Sequence, residues 1–234
     1  MKSNLLAFKY INKLFSINHI YINQIKKISF KYVNYINNNE LKIAPYLTIK
    51  KCNDLKEILS YNIINNESNI LNKEEVLIKV VSFGINRADL LQASGKYPAS
   101  NNSSSILGLE CSGYIVDNNL NIIDKNKPVM ALLSGGGYSE YVKVNKKHII
   151  HIPKEIDIVE AGGLPEAWIT AYQIIRYVRN NNFDIKDYNI LVSGAASGVG
   201  TALIQMIKEV YNANPIAMVG NEFKLLQLKK KYIF

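Results

Sequence analysis

A chain of 234 residues with 48% hydrophobic and 20% charged residues can form one large domain or two small ones with a buried core. The net charge of +9 would suit a polyanion-binding protein, but residues 1–45 carry +6 and the rest only +3. We therefore expect no nucleic-acid partner for the body of the chain. Two cysteines exclude a disulfide framework and a four-cysteine zinc site, and three histidines are too few to predict a metal cluster.

Residues 1–46 form a basic extension rich in Asn and Lys, which we expect to be disordered. Up to residue 45 it has no Arg and a single acidic residue, Glu40, a composition that also suits an organellar transit segment. Its longest uncharged run, residues 14–25, is too short and too polar to span a bilayer. We therefore expect a cytoplasmic protein with a disordered extension, with an organellar protein that carries a transit segment as the alternative.

Residues 47–163 are predicted to form a β-rich domain. The stretch EVLIKVVSFGIN (75–86) predicts a strand that ends at Gly84. Shorter strands are predicted at CSGYIVD (111–117), PVMALL (128–133) and YSEYVKV (138–144), separated by Gly, Asn and Ser turns. Closely spaced short strands favour a partly closed β barrel.

Residues 164–234 are predicted to begin a doubly wound α/β sheet. Pro165 opens a predicted helix. A buried strand is then predicted at 188–193, a helix at 201–211, a second buried strand at 214–219 and a second helix at 223–231. Strand, helix and strand in this order are the opening unit of a doubly wound parallel sheet.

The segment SGAASGVG (193–200), here called the glycine turn, lies between the first of these strands and the next helix. Its glycines let the backbone approach a pyrophosphate, and amides at a helix N-terminus favour an anion. This context predicts a dinucleotide site, with a tight packing turn that binds no ligand as the alternative. The predicted cofactor-binding residues of the turn are Ala195, Ser197, Gly198, Val199 and Gly200.

Cofactor choice is predicted from the end of the second strand. Gly220 stands where NAD enzymes carry the acidic residue that holds the ribose 2′-hydroxyl. A small residue leaves space for a 2′-phosphate, and Lys224 supplies the opposite charge. We therefore predict NADPH as the cofactor. Glu222 lies between the two, and an ordinary solvated lysine is the alternative for Lys224.

Five segments carry a resemblance to a known family. They are GINRADLLQASGKYP (84–98), ILGLECSG (106–113), VMALLSGGGYSEYV (129–142), LPEAWITAY (164–172) and SGAASGVG (193–200). In this order they resemble zeta-crystallin-type NADPH:quinone oxidoreductases, nearest to the p53-inducible branch, in the zinc-free part of the medium-chain dehydrogenase/reductase superfamily. The resemblance covers about residues 47–234. It implies a GroES-like catalytic barrel followed by an incomplete Rossmann sheet, an active site in the cleft between them, and a homodimer for the full-length form.

The resemblance also implies catalysis without a metal. Zinc alcohol dehydrogenases of this superfamily carry a Cys where Asn86 stands and a His where Leu109 stands. Without a Lewis acid the substrate must itself accept a hydride readily. A quinone or an activated alkene does so because its product anion is delocalised.

The resemblance assigns roles to single residues. It implies that Asn86 lines the nicotinamide side of the pocket and hydrogen-bonds the substrate oxygen, that Tyr97 lines the quinone pocket, and that Thr170 reaches the nicotinamide amide. For Tyr97 the alternative is a half-buried tyrosine with its hydroxyl in water, and for Thr170 a helix threonine bonded to its own backbone. We expect Glu110 to be a structural hydrogen-bonding residue and Cys111 a small buried one.

The sequence stops at Phe234, within or just after the second helix of a sheet that needs about six strands when complete. We expect a fragment of a longer protein, with a natural short chain as the alternative. Three functions remain open: an NADPH:quinone oxidoreductase, an enoyl reductase of the same superfamily acting on an acyl thioester, and a truncated non-catalytic remnant that binds a nucleotide or RNA.

Overall fold

The computed structural model describes residues 71–98, 104, 106–179 and 183–231, together with three short strands earlier in the chain. Those strands are β1 (Val33–Tyr35), β2 (Pro45–Thr48) and β3 (Ser60–Ile63). β2 and β3 pair with each other in antiparallel orientation. Within the extension over residues 1–46, β1 and the start of β2 are strands, contrary to the expected disorder at these positions. The rest of the extension, and the prediction of its disorder, lies outside the described residues. After Glu166 the described chain passes from one structural unit into a second.

The first unit is built on a curled antiparallel sheet. Its further strands are β4 (Glu75–Gly84), β5 (Glu110–Val116), β6 (Val129–Leu132), β7 (Tyr141–Asn145) and β8 (Ile149–His151). The order is β1-β4-β5-β6-β8, and β7 pairs with the first half of β4. The predicted strands are therefore confirmed, and β4 does end at Gly84, although β7 begins at Tyr141 and not at the predicted Tyr138, because residues 138–140 form a turn. All of these pairings are antiparallel, as expected for a β-rich domain of short connected strands.

Alternation along the strands creates the core of this unit. On β7, Val142 and Val144 are buried whereas Lys143 between them is exposed, because successive side chains point to opposite faces of a sheet. Buried side chains of β4, β5 and β6 join them in one cluster, which includes Ile78, Cys111 and Val129. Cys111 is fully buried there, as predicted for a small core residue.

Short helices connect the strands. They are α1 (Arg87–Ala93), a 3₁₀ turn (Lys146–His148) and α2 (Ile158–Ala161), and a longer helix, α3 (Pro165–Val178), follows. Asp157 caps α2, and its carboxylate accepts from the Val159 amide at 2.8 Å. Pro165 opens α3 as predicted, since proline fits the first position of a helix, where its missing N–H costs nothing.

The second unit contains a parallel pair of strands with helices after each. Its elements after α3 are β9 (Asn189–Ser193), α4 (Gly198–Gln205), a π-helical turn (Met206–Val210), β10 (Asn214–Met218) and α5 (Glu222–Lys231). β9 and β10 pair in parallel from Asn189 with Asn214 to Ser193 with Met218. The predicted strand–helix–strand unit is confirmed. Its helix α4 starts three residues before the predicted Thr201. The cap at Ser197 sets this start, whereas the apolar periodicity of the sequence begins only after the glycines.

The prediction that both of these strands are buried is wrong. One face of the pair is open, and Leu191 is 62% exposed there, with Ile216 and Met218 at about half exposure. Val192, on the opposite face, is buried. In the described ranges the sheet of this unit has two strands, and only the face that carries Val192 is covered. No helix in the described ranges is long and apolar enough to cross a membrane.

Candidate active-site and cofactor-binding residues

Asn86 occupies the turn between β4 and α1. It is the N-cap residue of α1, with extended backbone angles (φ −110°, ψ 155°), and its side chain is partly buried. Its backbone N–H donates to Oδ2 of Asp89 at 2.7 Å, and its Nδ2 donates to Oε1 of Glu110 at 2.8 Å. Both the backbone and the carboxamide of Asn86 are therefore held by buried carboxyl groups.

Glu110 is the first residue of β5 and is 2% exposed. Its second oxygen, Oε2, accepts from the backbone N–H of Glu166 in the first turn of α3 at 2.9 Å. Burial raises the pKa of Glu110 to about 8; the two hydrogen bonds oppose this rise, and the nearby Glu166 and Asp89 carboxyls add to it. The expectation that Glu110 is a hydrogen-bonding residue is confirmed, and it joins Asn86 to the start of α3.

The close approach of Glu110 requires a glycine on the neighbouring strand. A Cβ atom at Gly84 would lie 2.0 Å from Oε1 of Glu110 and 3.0 Å from Cα of Gly163. Any larger residue at Gly84 would therefore displace the carboxyl that holds Asn86.

Asp89 and Tyr138 form a second buried pair beside Asn86. Oδ2 of Asp89 accepts from the Tyr138 hydroxyl at 2.8 Å as well as from the Asn86 amide, and Oδ1 accepts from the Gly108 amide at 3.3 Å. Burial raises the pKa of Asp89, and burial together with the Asp89 charge raises the pKa of Tyr138. The sequence reasoning missed both residues. An acidic residue three positions after a helix-capping Asn was the signal that could have found Asp89.

Tyr97 and Thr170 are the other residues predicted to face the reacting groups. Unlike Glu110 and Asp89, they form no hydrogen bond with Asn86 among the described residues. Tyr97 follows α1 and is 51% exposed, so the residue is accessible to solvent or to a ligand. Thr170 lies in the part of α3 that belongs to the second unit, and its side chain is partly buried.

The glycine turn follows β9 and is shaped by local bonds. Gly194 has a positive φ of 64°, which a glycine adopts without strain. The buried Ala195 donates its N–H to the Met218 carbonyl of β10 at 3.1 Å, so the turn is fixed to both parallel strands. Ser197 is the N-cap of α4, and its Oγ accepts from the Gly200 amide at 3.0 Å.

The three predicted phosphate-facing amides therefore divide into two groups. Gly198 and Val199 are the first two residues of α4, where a backbone N–H has no earlier helical carbonyl to pair with. The Gly200 amide already binds Ser197, and a Cβ atom at Gly200 would lie 2.4 Å from the Gly194 carbonyl oxygen. Gly200 thus lets the helix pack onto the turn, while Gly198 and Val199 offer donors to an anion.

The predicted 2′-phosphate residues lie after β10. Gly220 is exposed, and a Cβ atom placed on it would meet nothing within 4 Å. Asn221 caps the following helix by accepting from the Lys224 amide at 3.0 Å, and the Lys224 side chain is exposed. An exposed glycine followed four positions later by an exposed lysine is compatible with a phosphate group.

In the described ranges no group of three or more His, Cys, Asp and Glu side chains is arranged to hold a metal ion. Burial, assisted by the neighbouring Glu110 charge, raises the pKa of Cys111, so its thiol stays protonated and is a poor nucleophile or ligand.

Comparison with known proteins agrees with the fold described above. Residues 72–154 match the family model of the alcohol dehydrogenase GroES-like domain. The chain is similar to the chloroplastic NADPH-dependent alkenal/one oxidoreductase of Arabidopsis thaliana, with 32% identity over 180 residues, 70% of this chain and 46% of the relative. The chain thus spans about half the length of this curated relative.

Two solved structures share the fold. The quinone oxidoreductase of Thermus thermophilus, solved also with NADPH, is 22% identical with a TM-score of 0.60, over 77% of this chain and 55% of that one. The CurK enoyl reductase is 24% identical with a TM-score of 0.65, over 82% of this chain and 59% of that one.

Proposed function

From the premise that this chain belongs to the medium-chain dehydrogenase/reductase superfamily, we propose that it provides the acceptor side and part of the cofactor site of an NADPH-dependent oxidoreductase. Its acceptor would be a quinone or an activated alkene, and no metal would take part. The observation that carries the proposal is the glycine turn between two parallel strands, whose helix begins with the amides of Gly198 and Val199.

The described residues fit the cofactor by the chemistry of their donors. The Gly198 and Val199 amides would bind the pyrophosphate, and Ala195, Ser197 and Gly200 hold the turn in the shape that presents them. Gly220 and Lys224 would accommodate the 2′-phosphate, which distinguishes NADPH from NADH. We also assign Thr170 to the nicotinamide amide, as the family resemblance implies. NADPH, when bound, supplies the hydride.

On the acceptor side, the chain's own residues would orient the substrate and stabilise the charge that develops on its oxygen. The half-exposed Tyr97 hydroxyl can donate to that oxygen, and Asn86 contributes its carboxamide at the nicotinamide side of the pocket. Quinones and alkenes conjugated to a carbonyl spread the negative charge of the product, so the Tyr97 hydroxyl can stabilise this charge without a Lewis acid. The names of the alkenal/one and quinone oxidoreductase relatives support this acceptor class.

An enoyl reductase acting on an acyl thioester is the second candidate, favoured by the likeness to the CurK enoyl reductase. Its substrate is also an alkene conjugated to a carbonyl, so the same residues would serve. A non-catalytic remnant that binds a nucleotide or RNA is the third. RNA held through phosphate contacts would dissociate steeply with rising salt, which separates this candidate from the other two.

The test measures cofactor binding first and turnover second. We expect the purified full-length protein that contains this chain to enhance or shift NADPH fluorescence, and to oxidise NADPH faster than NADH when given a naphthoquinone, an alkenal or an enoyl thioester. Lys224→Ala should lower NADPH affinity about tenfold and leave NADH affinity unchanged. Lys229→Ala, an exposed lysine of the same helix α5, is the matched control. Absence of NADPH binding, or equal loss in both lysine variants, would overturn the assignment.

A further inference from the structure

We propose that Glu110 is a positioning residue that fixes which end of the Asn86 carboxamide is presented to a bound ligand. This inference rests on the proposed function for its consequence in catalysis, but its geometric part stands on three hydrogen-bonded groups. They are the Asn86 carboxamide, the Glu110 carboxyl and the backbone N–H of Glu166, which belong to the start of α1, the start of β5 and the start of α3.

The donor and acceptor roles in the two hydrogen bonds of Glu110 determine the orientation of the Asn86 carboxamide. The Glu166 backbone group is an N–H and can only donate, so the Glu110 oxygen that faces it must accept. The other oxygen faces Asn86 at 2.8 Å, and an ionised carboxyl can only accept there as well. Asn86 must therefore turn its Nδ2 toward Glu110. Its carbonyl Oδ1 then points away from Glu110 and is available to accept from a hydroxyl or amide donor of a ligand.

A neutral group at position 110 would reverse this arrangement. A protonated carboxyl, or a glutamine, still needs its single carbonyl oxygen to face the Glu166 N–H. The remaining O–H or NH₂ group then faces Asn86 as a donor, and the Asn86 carboxamide must turn over to offer Oδ1. The terminal torsion of Asn is broad and two-fold, so this rotation costs little. The count of hydrogen bonds is preserved while the presented end of Asn86 changes from acceptor to donor.

The surroundings keep this carboxyl separate from solvent. Glu110 is almost fully buried, and Gly84 on the adjacent strand lies so close that only a glycine leaves room for Oε1. The ionisable groups that act on it are Glu166 from α3, Asp89 from α1, the Tyr138 hydroxyl and its neighbour Cys111. Burial and the two carboxyls raise the pKa of Glu110 to about 8, while Tyr138 and Cys111 stay protonated because their pKa values are raised further.

The first experiment observes the Asn86 side chain directly by ¹⁵N NMR, with its resonances assigned by their loss in Asn86→Ala. In the unmodified chain these resonances should titrate with a midpoint near the Glu110 pKa of about 8. In Glu110→Gln they should resemble the low-pH form at every pH. If the Asn86 resonances change neither with pH nor with the substitution, the positioning role of Glu110 is wrong. If Glu110→Gln does not fold, the titration of the unmodified chain makes the same comparison.

The second experiment asks whether Glu110 acts on the cofactor through Asn86. Above pH 8, Glu110→Gln should weaken NADPH affinity about tenfold, the effect of one exchanged hydrogen bond. In an Asn86→Ala background the same substitution should change affinity less than about twofold, because the group it turns is gone. Glu74→Gln, at an exposed glutamate of the same unit, should have no effect.

An equal loss from Glu110→Gln in both backgrounds would mean that Glu110 supports the fold alone and would overturn the inference. Failure of every variant and of the unmodified chain to bind NADPH would instead contradict the proposed function. The NMR titration would still decide the orientation of Asn86, so the two failures are distinguishable.

Discussion

The Tyr138 hydroxyl donates a 2.8 Å hydrogen bond to Oδ2 of Asp89, the same oxygen that accepts from the Asn86 amide. Tyr138 lies in the loop between β6 and β7, and Asp89 lies in the first turn of α1, 49 residues away in sequence. This buried pair holds the helix start that carries Asn86 against the sheet. Since Asp89 is almost completely buried, each donor to its carboxyl matters for stability.

Tyr138→Phe removes one of these donors while keeping the ring, which packs 4.7 Å from the ring of Phe83. We expect a loss of about 1–3 kcal/mol in the free energy of unfolding, because a buried carboxyl loses a hydrogen bond. Denaturant unfolding measures it. Tyr114→Phe is a control on the neighbouring strand β5, at a position that is only partly buried, and should cost less. Equal effects of the two substitutions would contradict the role given to the Asp89 pair.

Gly84→Ala tests the close approach of β4 to Glu110. The new Cβ atom would lie 2.0 Å from Oε1 of Glu110, so the carboxyl or the strand must shift. Overpacking of this kind costs about 1–3 kcal/mol or more, measured as a lowered midpoint of chemical or thermal unfolding. Gly220→Ala is the matched control, because a Cβ atom there meets nothing within 4 Å. A Gly84→Ala protein as stable as the control would contradict the contact.

We expect the free energy of unfolding to depend on pH through the titration of Glu110. Its pKa is about 8 in the folded chain against an ordinary value of 4.5, so between these values the folded state binds more protons than the unfolded state. The stabilisation that Glu110 contributes is therefore fully present below pH 4.5 and is lost as the pH rises to about 8.

Replacing the carboxyl isolates this effect from those of Asp89 and Glu166, whose pKa values burial also raises. The difference in unfolding free energy between the unmodified chain and Glu110→Gln should change with pH by up to about 1.4 kcal/mol per unit within that window. Unfolding curves at several pH values measure it. A difference that is constant with pH would mean that Glu110 titrates in its ordinary range.

Ser197→Ala should remove the cap of α4. The Ser197 hydroxyl oxygen accepts from the Gly200 amide, and loss of such a cap costs about 1 kcal/mol of stability. It should also weaken NADPH affinity, because the turn that presents the Gly198 and Val199 amides is loosened. Asp157→Ala removes the cap of α2 in the other unit and should cost similar stability without changing NADPH affinity. Unfolding curves and cofactor fluorescence together separate the two outcomes.

The sequence alone determined where most elements of this chain lie. A stretch rich in β-branched residues predicted β4, and Gly, Asn and Ser turns separated the shorter predicted strands. Proline marked the start of α3, and the glycine turn lies between a strand and a helix as expected. These features are local: each depends on residues a few positions apart, so their period and their turn residues are visible in the printed chain.

The tertiary structure alone decided which side chains meet around Asn86. Glu110 is 24 residues from Asn86 and 56 from Glu166, and Tyr138 is 49 from Asp89. Pairing of β4 with β5 and the placement of the α1 and α3 N-termini bring them together, and no local period encodes such contacts. The open face of β9 and β10 could not be predicted from the sequence either. An apolar run has the same composition whether its strand is covered by other elements or not.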